Sequence, residues 1–186
     1  MKLFTDKEII HFSQLNNTNE PFAACFPTSL AMALRNNGYQ WTSQRPLDDY
    51  IFELANTKGS VYEVMAKKLG AKNKFHQYPD VMIQIANDSF KAQGINLKAK
   101  RVPYDLTTVK KYIDKGVMIV CGTYITSYGH MICISGYTED SVVVNDPYGN
   151  PNTGYKFNDN NKFDDGNKIT LDKKLLPKLN YLIVFD

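Results

Sequence analysis

The chain has 186 residues, 43% apolar and 22% charged, and its 22 Lys and Arg against 19 Asp and Glu leave a net charge of +3. That length can bury a core without disulfide or metal staples, and the composition excludes collagen-like, wholly disordered and membrane-embedded chains. The basic residues are scattered, which gives no electrostatic footprint for nucleic acid, and no run approaches eighteen apolar residues, so no membrane insertion is expected. The opening Met1-Lys2-Leu3-Phe4-Thr5-Asp6-Lys7-Glu8 carries charge where a secretory signal would be apolar. The expected route is synthesis in a cytoplasm without a signal peptide. Three cysteines are an odd count for a disulfide framework, so each thiol needs its own explanation.

In chain order, helices are predicted over Phe26 to Asn37, Leu47 to Asn56, Val61 to Leu69, Val81 to Ala92 and Leu106 to Asp114, each ending near a glycine or a polar turn. Strands follow at Val117 to Cys121, Met131 to Ser135, Val142 to Val144 and Tyr181 to Phe185, short β-branched runs bounded by Gly, Pro, Asn and Asp. Between the last two, Asp146 to Lys168 is dense in Asn, Asp, Gly and Pro and reads as a long surface loop edging a cleft. Helices first and strands later predict an α+β fold, N-terminal helices on a C-terminal antiparallel sheet, in a single domain over 1–186.

The chemistry gathers at three places. Cys25 falls where an irregular segment turns into the helix beginning Phe26-Pro27-Thr28-Ser29, and Pro27 suits a first turn whose free N–H groups favour negative charge. The ionised sulfur is the nucleophilic form, although a buried core cysteine would read the same way. His130 stands at the start of one predicted strand and Asp146 just after the next. A hairpin turning about Glu139 sets Asp146 opposite Ile132, on the same side of the sheet as His130. Cys133, an odd number of residues from His130, should face away from it, and Cys121 reads as a small core residue. Cys25, a histidine base and an acid to orient that base are the residue types of a cysteine hydrolase.

These stretches resemble the papain-like cysteine peptidases, in particular the bacteriocin-leader peptidases that cut after double glycine. The likeness rests on Cys25-Phe26-Pro27-Thr28-Ser29-Leu30-Ala31-Met32-Ala33-Leu34 with Gly38, on Gly129-His130-Met131-Ile132-Cys133-Ile134-Ser135-Gly136-Tyr137, and on Val142-Val143-Val144-Asn145-Asp146-Pro147-Tyr148-Gly149. It implies a papain-like fold with Cys25 as nucleophile, His130 as general base and Asp146 as orienting acid. It also implies an upstream side-chain amide at the oxyanion, for which Gln14 is the candidate and Asn19, nearer the cysteine, the alternative. Such relatives usually carry Cys-Gly-Pro, and Phe26 replaces that glycine, which implies a different substrate cleft.

The expectation is therefore a thiol hydrolase of a peptide or isopeptide bond, requiring no cofactor. Its expected substrate is bacterial cell-wall peptide (peptidoglycan), met in phage lysis or entry or in wall turnover, with the protein released or virion-associated. Processing of leader peptides is the rival, and a non-catalytic binding or virion module of the same fold and an acyl transferase are the others. His11 and His76 have no second ligand at metal spacing, and Asp159 to Gly166 fails the calcium-loop pattern because Phe163 takes a ligand place. No metal is expected. The twelve tyrosines are read as packing and none is assigned to a site.

Overall fold

The computed structural model describes residues 1–156 and 165–186. Five α-helices, α1 (Cys25–Asn36), α2 (Leu47–Asn56), α3 (Val61–Lys68), α4 (Pro79–Ala92) and α5 (Leu106–Asp114), lie within two residues of the predicted spans. The strands are β1 (Lys2–Leu3), β2 (Ala99–Pro103), β3 (Ile119–Thr123), β4 (His130–Tyr137), β5 (Val142–Asn145), β6 (Ile169–Thr170) and β7 (Leu179–Phe185). They form one antiparallel sheet in the order β2-β7-β3-β4-β5-β6, with β1 paired to the far end of β4. Three of these strands, β1, β2 and β6, have no counterpart in the sequence reading. Two are only two residues long, and β2 is an edge strand of sequence Ala-Lys-Arg-Val-Pro whose pattern carries no apolar alternation. The segment 157–164, with most of the Asp-rich stretch, lies outside the described residues. Among the described residues no helix is long and apolar enough to cross a membrane.

The core is built around α1, which is buried from Phe26 to Leu34. It packs on β4 and β3 with one side and on α2 and α4 with the other. A helix surrounded in this way must be apolar or small on every face, as Leu30, Ala31, Met32, Ala33 and Leu34 are. Its few polar groups are all partnered: the Ser29 hydroxyl donates to the Met131 carbonyl at 3.0 Å, and the Thr28 hydroxyl to Asp48 at 3.2 Å. At the other end two side-chain amides act as pieces of backbone. Asn37 exchanges both bonds with Met118, just before β3, at 2.8 and 2.9 Å, and Asn36 does so with Ile10 at 3.0 and 2.8 Å. The helix is thereby locked at both ends to the sheet and to the N-terminal segment.

His76 is buried beneath α2 with its ring on Phe52, accepting a hydrogen bond at Nδ1 from the Asn56 amide at 2.9 Å. Burial, with a smaller push from the Lys74 charge, lowers its pKa from 6.5 to about 4 despite the Ala23 carbonyl nearby. The unfolded chain takes up this proton below about pH 6.5 and the folded protein does not, so the neutral ring stabilises the fold above that pH and the contribution is lost as pH falls toward 4. The loss amounts to about 3 kcal/mol at 1.36 kcal/mol per unit. Urea unfolding should therefore weaken between pH 6.5 and 4, and the His76→Gln variant should show a shallower decline across that interval.

Candidate active site

Cys25 is the first residue of α1, where the leading N–H groups have no intrahelical partner and no acidic side chain competes for the first turn. Cys25 is half-buried, whereas Cys121 and Cys133 are fully enclosed. Cys133 meets the helix backbone instead, its thiol donating to the Ser29 carbonyl at 3.0 Å. Burial raises the pKa of both enclosed thiols.

His130 opens β4 opposite Thr123 of β3, and Asp146 follows β5 by one residue. The β4–β5 register pairs Cys133 with Asn145, which carries Asp146 back toward the start of β4. His130 Nε2 donates to Asp146 Oδ1 at 2.8 Å, with both side chains buried. With Nε2 taken by Asp146, Nδ1 is the nitrogen left for Cys25, whose sulfur also pulls the ring toward its protonated form. The predicted thiol, imidazole and carboxylate are thus brought together, His130 bonded to Asp146 and sharing the cleft with Cys25. Burial by itself would lower the His130 pKa, but the Asp146 charge and hydrogen bond, reinforced by Cys25, outweigh it and hold the imidazole well above its ordinary value.

A fully buried carboxylate needs more than one donor. The other donors to Asp146 come from residues that sequence reading left as packing. The Tyr148 N–H reaches Oδ1 at 2.8 Å and the Tyr155 hydroxyl reaches Oδ2 at 2.9 Å. Gly166 holds the backbone of Asp146, accepting from its N–H at 2.9 Å. A Cβ on Gly166 would fall inside the carbonyl oxygens of Asp146 and Gly149. The Asp-Pro turn announces Tyr148 as a neighbour, but nothing local marks Tyr155 or Gly166, because their contacts depend on the path of the loop.

Of the two candidate amides, Asn19 is exposed, its backbone N–H held by the Asn17 side chain at 3.0 Å. Gln14 is buried in a 3-10 turn; its own N–H donates to the Pro147 carbonyl at 2.9 Å and its Nε2 to the Pro21 carbonyl at 2.8 Å. It ties the segment leading to Cys25 to the segment following Asp146. Neither side chain lines the cleft itself. The same leading segment is anchored to the start of α2, where Asp48 accepts from Asn17 at 3.1 Å and Asp49 from the N–H and hydroxyl of Thr18, each at 2.8 Å.

Cys25 and His130 open on a cleft of about 580 Å³ walled largely by Phe22, Phe26, Tyr124, Tyr128, Met131 and Tyr181. Phe22 is 77% exposed and Tyr128 100% exposed at its mouth. Apart from His130, Lys74 is the one charged side chain on its walls among the described residues. His11 lies apart from the cleft, its Nε2 3.7 Å from Asp165, and its pKa is lowered by burial against the pull of Asp165 and Asp146. Among the described residues no three His, Cys, Asp or Glu side chains gather as a metal would require.

Two outcomes follow from this geometry. Iodoacetamide should alkylate Cys25 well before Cys121 or Cys133 in the folded protein, read by peptide mapping; faster labelling of either strand cysteine would displace Cys25 from its assigned place. Gly166→Ala, by pushing Asp146 away, should cost about 2 kcal/mol of stability and lower the melting midpoint by about 2–4 °C for each of those kcal/mol.

Comparisons with known proteins bear on the fold and the family. A similar architecture, at TM-score 0.57 and 14% identity over 95% of this chain and 94% of the other, occurs in a C39-like peptidase from Bacillus anthracis, described as putative. The peptidase domain of Streptococcus ComA, a bifunctional ABC transporter of a quorum-sensing pathway, matches at TM-score 0.50 and 14% identity over 88% and 90% of the two chains. A double glycine motif protease from an AMS/PCAT transporter, solved with its leader peptide, matches at TM-score 0.50 and 15% identity over 96% and 91%. No curated protein sequence matches the chain. The fold is thus the papain-like one that the sequence motifs imply. The family model of C39-like peptidases matches residues 7–167, and the chain belongs to the Peptidase_C39 like family.

Proposed function

We propose that the protein is an active cysteine peptidase. The observation that carries this reading is the buried 2.8 Å bond from His130 Nε2 to Asp146 Oδ1 with Cys25 on the other side of the ring, at a helix N-terminus and open to a cleft. In this reading Nδ1 of His130 takes the proton of Cys25, and the sulfur attacks the scissile carbonyl. The imidazolium, steadied by Asp146, then gives its proton to the leaving amine. Water, deprotonated by the same ring, releases the acyl group from sulfur. The Cys25 backbone N–H is the donor assigned to the oxyanion; Gln14, expected there from the sequence, is instead buried off the cleft with its Nε2 given to the Pro21 carbonyl, and ties the segment before Cys25 to the one after Asp146.

The cleft offers apolar surface to a peptide, because Phe22, Phe26, Tyr124, Tyr128 and Tyr181 line it and Phe22 and Tyr128 stand exposed at its mouth. This supports cleavage of a leader-type peptide, as in the transporter peptidases. Cell-wall peptide remains the second reading, favoured by the net charge of +3 and by Lys74 on the cleft wall, which suit an anionic polymer bearing free carboxylates.

The readings separate in one assay. A wall enzyme releases new amino groups from purified peptidoglycan and loses that release in Cys25→Ala; a leader peptidase leaves peptidoglycan intact and cuts a double-glycine peptide, again only with Cys25. Asp146→Asn should fold and still be alkylated at Cys25 while turnover falls about 10²-fold or more. Full turnover in that variant would remove Asp146 from the mechanism.

A further inference from the structure

We propose that Tyr155 is a positioning residue of this site, acting on His130 through Asp146, an inference that rests on the peptidase reading. Its hydroxyl donates to Asp146 Oδ2 at 2.9 Å, the oxygen that His130 does not use. The division is complementary: Oδ1 accepts from His130 and from the Tyr148 N–H, and Oδ2 accepts from Tyr155. With both oxygens engaged, the plane of the carboxylate is fixed, and with it the direction from which Oδ1 meets the imidazole. The Tyr155 ring also stands edge-on to His130 with centroids 5.7 Å apart and to Tyr148 at 5.2 Å, so the same side chain closes the imidazole away from solvent.

The backbone supplies a second, independent sign. Tyr155 has φ +59°, a left-handed conformation that a bulky aromatic residue rarely adopts and keeps only where its surroundings hold it there. It follows Gly154, also left-handed, after a 3-10 turn capped by Asn150. This double reversal turns the tyrosine back toward Asp146 nine residues behind it. A loop serving only as a connection has no need of such a path.

The test is Tyr155→Phe, which keeps the ring and removes only the hydroxyl, made in the full chain with its melting midpoint measured alongside. With peptide substrate, kcat should fall about tenfold while KM stays within about twofold, the effect of leaving one buried carboxylate oxygen unpaired. Two readouts need no substrate: iodoacetamide should alkylate Cys25 several-fold more slowly, and the downfield proton resonance of His130 Nε2–H should move or broaden. A folded Tyr155→Phe protein with a wild-type resonance and wild-type alkylation rate would overturn the proposal. Absence of peptidase activity in the wild type would instead overturn the peptidase reading, and the resonance and alkylation would still decide the role of Tyr155. If the variant fails to fold, the wild-type spectrum decides: a slowly exchanging tyrosine hydroxyl proton coupled through space to the Asp146 methylene is expected, and a rapidly exchanging one contradicts the assignment.

Discussion

The fold carries a buried charge pair, and much of the structure follows from the need to hold it. Asp146 is wholly enclosed and His130 nearly so. Taking two such groups out of water is costly, and their attraction offsets the cost only where geometry is good and the remaining lone pairs are satisfied. The donors from Tyr148 and Tyr155 supply that satisfaction, and Gly166 fixes the Asp146 backbone by accepting from its N–H. Such an arrangement is a poor way to stabilise a fold and a good way to let an imidazole keep a proton taken from the neighbouring sulfur, which is why the residues around it make sense as a site more readily than as a core.

Sequence reasoning reached the pair through strand register, and it did so with help from a feature it did not contain. A hairpin about Glu139 puts Asp146 opposite Ile132, and near the site the register is the expected one, with Cys133 facing Asn145 and Ile134 facing Val144. At the turn end, however, Gly136 faces Val143 and Tyr137 faces Val142, one residue out of step. A β-bulge at Ser135 absorbs the difference. Without it the half-residue offset of the turn would have sent Asp146 to the other face. Ser135 is buried and its carbonyl accepts from Phe4, so the bulge is itself held by the chain arriving from β1.

The helices were legible because their signals are local: a glycine after the last turn, a proline in the first, apolar residues on the buried faces. Cys25 was legible for the same reason, standing at a helix start that its own neighbours define. What escaped was most of what distant partners set. The short strands β1 and β6 exist only because β4 and β5 offer them an edge, and the anchoring of Asn17 and Thr18 on Asp48 and Asp49 joins segments thirty-one residues apart. Tyr155 belongs to this group, since tyrosine composition carries no information about which ring reaches a carboxylate.

The most direct measurement is a nitrogen-15 NMR titration of the three histidines in the resting protein. The account predicts that His130 keeps both ring protons well above pH 7, with Nε2–H bonded to Asp146, while His76 stays neutral down to about pH 4. A His130 ring that is neutral at pH 7 would contradict the buried pair on which the site is built.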